Sequence, residues 1–228
     1  MLAASLIILL ILIFIVFIFF MIRREKVEKV RKIQMLQSLG FIPVESDQEL
    51  SNQIYNLYES RWGEAQFQVQ NLYRKRIPDG DMYIFDLVNV AGDEDHITEE
   101  MAIAMVSQYL ELPAFTIFPR LAEDGLGWDI ANKVLGWVVS KLGDPINFPD
   151  HPEFQKHFLV SSKDVEETRQ FLDDRKLHML AQIRMIGIHA AENMFVLSRF
   201  IQTNPPEKHD QLSKRITLAM DVYQILSS

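Results

Sequence analysis

The chain has 228 residues, with 23 Lys and Arg against 31 Asp and Glu, a net charge of −8. It has no cysteine, which excludes structural disulfides, thiolate metal sites and a cysteine nucleophile. The acidic balance argues against nucleic acid as a partner, because phosphate neutralisation dominates that affinity.

Residues 2–22, LAASLIILLILIFIVFIFFMI, contain no charge, proline or glycine. At ~1.5 Å per residue they make ~31 Å of helix, about the thickness of a bilayer's hydrocarbon core. A single transmembrane helix over residues 1–22 is therefore expected. It should be retained rather than cleaved, since no basic residue precedes the run and no A-x-A-like site follows it. Arg23, Arg24, Lys26, Lys29, Arg31 and Lys32 crowd its exit. The positive-inside bias then places the N-terminus outside and the rest in the cytoplasm, as a single-pass protein of the cell membrane. Residues 1–32 carry net +4 and residues 33–228 net −12. The expected partners are thus the bilayer, through residues 2–22, and anionic lipid headgroups at the basic collar.

Residues 23–40 read as a basic juxtamembrane helix. Glu25 with Lys29, and Glu28 with Lys32, are i,i+4 pairs in the favourable order. Val27, Val30, Ile33, Leu36 and Leu39 recur every three residues, a stripe expected to pack on the domain rather than dimerise. Gly40 suits the left-handed residue that ends a helix.

Residues 41–228 are the right length for one soluble domain. Ser46-x-x-Glu49 predicts a capping box opening a helix to about Ser60, with Leu50, Ile54, Leu57 and Tyr58 on one face. Strands follow at Phe67–Arg76 and Met82–Val90, joined by the turn Pro78-Asp79-Gly80-Asp81. Residues 101–110 suit either helix or strand; a strand pair reaching Pro119 is favoured. DIANKVLGWVVSKLG, ending at Gly143, predicts a helix. Ile146–Phe148 and Phe158–Val160 read as short strands. A helix with early acids, Asp164, Glu166 and Glu167, should run from Ser161 or Ser162 to about Ala181, with a break near Asp173-Asp174. Arg184–His189 and Met194–Phe200 suggest a hairpin, and Pro205-Pro206 starts a last helix. Hairpins among helices, without repeated strand–helix–strand crossovers, predict an α+β fold: a mainly antiparallel sheet with packed helices behind a single N-terminal transmembrane helix.

Three stretches, LELPAFTIFPR (110–120), INFPDHPEFQKHFLVSSKD (146–164) and ENMFVLSRF (192–200), carry a resemblance. Together they resemble a loosely defined set of uncharacterised bacterial proteins with one N-terminal membrane helix. The resemblance implies a membrane-anchored α+β domain and no catalytic residues.

The densest chemical constellation is Asp150, His151, Glu153 and His157: two imidazoles and two carboxylates in eight residues, a conceivable zinc set. Pro149 and Pro152 break its spacing, and a polar turn anchored by Phe154 and Phe158 explains it more simply. The acids at 93–95 with Glu99 and Glu100 lack the alternation of a calcium loop. His178 and His189 fall on a helix and a strand, with no partner nameable from sequence. Phosphate-binding glycine loops and nucleophile elbows are absent. No cofactor is expected, and an enzyme has no positive support. The leading expectation is a membrane-tethered interaction or scaffold module. The alternatives are a membrane-associated enzyme or metal-binding domain using residues 150–157, and a lipid or apolar-ligand binder using the clustered phenylalanines.

Overall fold

The computed structural model describes residues 14, 19, 23–24, 26–27, 29–62, 67–89, 98–120, 143–183, 186–198 and 209–228. It divides into two compact units, Met1–Ile42 and Pro43–Ser228.

In the first unit, the described residues from 23 to 38 are helical. The helix ends where the glycine was expected to end it. Gly40 has φ 85°, its N–H donates to the Gln37 carbonyl, and the Phe41 N–H donates to the Leu36 carbonyl, both at 3.0 Å. These are the two bonds of a Schellman cap. Val27, Val30 and Ile33 of the apolar stripe are exposed, whereas Leu36 is buried.

The second unit is built on a sheet. Its strands are β1 (Ile42–Pro43), β2 (Phe67–Ile77), β3 (Gly80–Asn89), β4 (Thr98–Val106), β5 (Leu112–Pro119), β6 (Asp144–Ile146), β7 (Phe158–Ser162), β8 (Gly187–Glu192) and β9 (Met194–Ser198). They lie in the order β1-β2-β3-β4-β9-β8-β5-β7-β6. The pairs from β2 to β6 are antiparallel. The helices are α1 (Gln48–Trp62), α2 (Pro152–His157), α3 (Val165–Phe171), α4 (Asp174–Leu180) and α5 (His209–Leu226).

Strand alternation sorts side chains to two faces, and here both are buried. Tyr83, Phe85 and Leu87 of β3 join Ala102, Ala104, Met194 and Val196 under Leu50, Ile54, Leu57 and Tyr58 of α1. The alternate residues, Met82, Ile84, Ile103, Met105, Phe195 and Leu197, are buried on the opposite face. There Phe171 of α3 packs on Phe115 of β5, ring centroids 5.9 Å apart. The α5 helix is tied to β4: Arg215 Nη2 donates to the Met101 carbonyl at 2.7 Å, and the Tyr223 hydroxyl lies 3.1 Å from Ser107 Oγ.

The α+β class and antiparallel sheet agree with expectation; the N-terminal transmembrane helix does not. Among the described residues no helix is long and apolar enough to cross a membrane. The α5 helix has 18 residues but carries Asp210, Lys214, Arg215 and Asp221. Charges there would have to be desolvated in lipid at several kcal/mol in total. Residues 2–22 lie outside the described residues, except Phe14 and Phe19. The membrane anchor, the outside-to-inside orientation, the single-pass localisation and the lipid partners are therefore corrected, and the function is read without them.

Smaller corrections are local. The α1 cap is Asp47, not Ser46: its Oδ1 accepts the Leu50 N–H at 3.0 Å. A carboxylate is the stronger acceptor at the positive end of a helix. Residues 98–106 are strand. The break expected near Asp173-Asp174 separates α3 from α4, each with its own aspartate cap: Asp164 accepts from the Glu167 N–H and Asp173 from the Lys176 N–H. The loop at 93–95, the predicted helix over 129–143 apart from Gly143, and the start at Pro205-Pro206 lie outside the described residues.

Candidate functional site

The constellation at 150–157 is resolved into a turn and α2. Pro152 begins the helix, which turns Phe154 inward. Phe154 and Phe158 are 1% and 2% exposed. Phe154 meets Phe148 edge-on, with centroids 5.7 Å apart, and Phe158 at 5.3 Å. Such aromatic pairs add about 0.5–1.5 kcal/mol to the burial of their area. Asp150 and Glu153 point to solvent.

His151 Nε2 lies 2.9 Å from Asp174 Oδ1, at the first turn of α4. The His157 carbonyl accepts the Arg120 N–H at 2.7 Å, and Arg120 Nε donates to the Phe158 carbonyl. Burial lowers the pKa of the Arg120 guanidinium. Asp150, His151, Glu153 and His157 are not brought together. Among the described residues no group of three or more His, Cys, Asp and Glu is placed to hold a metal ion. The metal reading is corrected for a geometric reason: the six-residue helix spends its inward face on Phe154, and His151 pairs with an acid from another helix. The lipid-pocket reading is corrected as well, because Phe115, Phe118, Phe148, Phe154 and Phe158 are all buried and those at 148–158 pack on one another. The basic residues Arg23, Arg24, Lys26, Lys29 and Arg31 are exposed on the helix of the first unit.

Three polar clusters went unseen in the sequence. At the mouth of α1, Asp47 Oδ2 accepts the Tyr83 hydroxyl at 3.2 Å, while Arg74 grips Asp81 through two bonds of 2.8 and 2.6 Å. Burial first, and then the Asp47 charge, raise the Tyr83 phenol to about 12. On the opposite face of β3, Asp86 is 2% exposed and accepts from Asn71 Nδ2 at 2.8 Å. Asn71 sits at φ 49° in a bulge of β2, and Tyr73 beside it is raised by burial and then by the Asp86 charge. Under α1, His189 is 2% exposed, with Thr116 Oγ1 3.5 Å from its Nδ1 and the rings of Tyr58 and Phe118 at 4.8 and 5.5 Å. Each cluster is spent on structure: a cap, a bulge and a packed interior.

Among the described residues a groove opens between α4 and α5. Its space is ≈490 Å³, lined by Met179, Gln182, Ile183, Leu218, Asp221 and Ile225. The spacing explains the lining. Leu218, Asp221 and Ile225 are i, i+3 and i+7 on α5, hence one face; Met179 and Ile183 are four apart where α4 ends. Gln182 N–H and Ile183 N–H bond back to the carbonyls of Met179 and Leu180, which fixes that end as a tight turn. The lining joins four apolar side chains with one amide and one carboxylate.

Comparison with protein-family models, with curated proteins and with solved structures finds no match for this chain. The resemblance to membrane-anchored bacterial proteins is not upheld, since no family model matches and no described helix can span a membrane.

Proposed function

We propose that the 43–228 unit is a docking domain for a helical segment of another protein, received in the groove between α4 and α5. The observation that carries this reading is the groove, ≈490 Å³ in extent: half-buried Met179, Ile183 and Leu218 and buried Ile225 stand beside exposed Gln182 and Asp221. A third helix is the natural occupant, because its ridge of i and i+4 side chains fits between two helices at the usual packing distance. The titratable residues elsewhere support a binding role over a catalytic one: Asp47, Asp86, Arg74 and His151 all hold other residues of the fold in place.

The test is hydrogen exchange on the full chain with and without an amphipathic helical peptide. Backbone amides at 179–183 and 218–225 are expected to gain protection. Leu218→Glu, at a half-buried position, should leave the fold intact and abolish the effect. Protection that persists unchanged in that variant would place docking elsewhere and overturn the reading.

A further inference from the structure

We propose that the basic helix of the first unit, over residues 23–38, is itself a ligand, taken by another protein into an apolar groove rimmed with carboxylates. Its stripe is the first observation. Val27, Val30 and Ile33 are 60%, 53% and 38% exposed, while Leu36, the next of the row, is buried. A row of every third residue drifts by ~60° per step on a helix of ~3.6 residues per turn. Val27 to Ile33 thus cover an arc of ~120°, and Leu36 has turned a further step out of it. Val and Ile hold one preferred χ1 in a helix, so a groove that covers them orders little that is not already ordered.

Charge names the occupant. Residues 23–38 hold six bases and two acids. By spacing, Glu25 and Glu28 stand four before Lys29 and Lys32, the favourable order for ion pairs. Arg24, Lys29 and Lys32 are engaged within the chain; among the described residues Arg23, Lys26 and Arg31 have neither a hydrogen bond nor an ion pair. Those three exposed bases belong to the stripe. Arg23 and Lys26 fall within its arc, and Arg31 lies ~40° beyond Val27. Gln34 and Gln37 share the arc and are neutral. A groove that covers Val27, Val30 and Ile33 therefore meets three uncommitted cations. Carboxylates at its rim answer them, while the methylene stems of the bases pack on its apolar wall. The same helix of a second copy would set these cations against one another. A lipid surface fits less well: interfacial helices fill their apolar face with Trp, Phe and Leu, and residues 23–38 include no aromatic side chain.

The experiment uses the full chain, with labelled calmodulin as the probe: an acidic protein whose apolar grooves open when calcium binds. Fluorescence anisotropy is read for the wild type, for the triple variant Arg23→Glu, Lys26→Glu, Arg31→Glu, and for the double variant Val27→Ser, Val30→Ser. All five positions are exposed, so both variants keep the fold. The wild type is expected to bind in the presence of calcium, with affinity falling as salt rises. Each variant should weaken that binding about tenfold or more, through three ion pairs turned to repulsions in one and two apolar anchors lost in the other. Equal binding without calcium would show that charge acts alone and no groove is used, which overturns the proposal. So would the absence of binding, or binding indifferent to either variant. Vesicles of equal parts phosphatidylcholine and phosphatidylserine that hold the wild type but not the triple variant, where calmodulin holds neither, would make a lipid surface the occupant. A dimer of the chain that dissociates in the triple variant would make it the acidic unit of a second copy, and either result overturns the proposed partner.

Discussion

Tyr83 shows how one hydroxyl can report on an entire corner of the fold. Its phenol is raised to about 12 by burial and by Asp47, against an ordinary value near 10. The folded state therefore holds the proton while the unfolded chain releases it. This contribution is fully present below about pH 10 and is lost as pH climbs through about 12. Tyr83→Phe should thus show a shallower fall in stability over that window than the wild type, measured as unfolding midpoints at each pH. An equal fall in both proteins would show that the phenol is not held. Glu192 carries strain of another kind. It has φ 55° at the last residue of β8, where the chain enters the turn to β9, a conformation that costs a residue with a Cβ about 1–2 kcal/mol. Glu192→Gly relieves it and should stabilise the fold by about 0.5–1 kcal/mol after the glycine's own entropy is counted. Urea unfolding reads this directly: the midpoint should rise with an unchanged slope. Neither effect was visible in the sequence, since a tyrosine in an alternating strand and a glutamate in a turn look ordinary until their neighbours are known.

At the scale of elements, the segment 146–164 separates what anchors from what decorates. Phe154→Ala or Phe158→Ala should each cost about 3–5 kcal/mol, because each removes a ring packed between others. His151→Ala should cost at most about 1 kcal/mol, since its partner Asp174 is 97% exposed and the pair is screened. Thermal or chemical unfolding of the three variants ranks them, and a silent phenylalanine beside a costly histidine would invert the assignment. Much here was legible. Proline at the helix start, phenylalanines at anchoring spacing and the aspartate break at 173–174 are local signals, set by residues within a few positions of each other. The cap of α1 lies one position beyond the expected one because Ser46 and Asp47 are both good caps, and only the bond to the Leu50 N–H decides. The groove was hidden for a similar reason. Leu218 and Ala219 both fit the apolar side of α5, yet Ala219 is fully buried while Leu218 lines open space. An apolar residue at helical spacing looks the same whether it meets the core or a partner.

At the scale of the molecule, sequence patterns reach only so far. The β2–β3 hairpin was readable because its turn and its Tyr83, Phe85, Leu87 alternation lie side by side. The second buried face of β3 was missed: Met82, Ile84 and Val88 fill the gaps of that alternation and make the strand nearly continuous in apolar residues, broken at Asp86. The long hydrophobic segment at 2–22 is the strongest pattern in the chain, yet it decides nothing about the sheet. Strand, helix and hairpin succeed one another within both 41–90 and 158–200, yet the topology is not copied, for β1 neighbours β2 directly while β5 separates β7 from β8. Pairing across the chain leaves no local mark.

That placement of β5 has a consequence for how the protein is made. Residues 112–119 leave the ribosome with neither neighbour yet synthesised. The partner strand β7 begins at residue 158 and β8 at residue 187. At about 5–20 residues per second, β5 waits several seconds with both backbone edges bare. Its apolar run AFTIF is the kind of segment that pairs with the wrong chain when left uncovered. The meander of β2, β3 and β4 meanwhile has all its internal partners and can close early. The nascent chain thus passes through a stage in which half a sheet is formed and its next strand is adhesive. Slow synthesis after residue 119 lengthens that stage, and with it the exposure of an unpaired strand, whatever the stability of the finished fold.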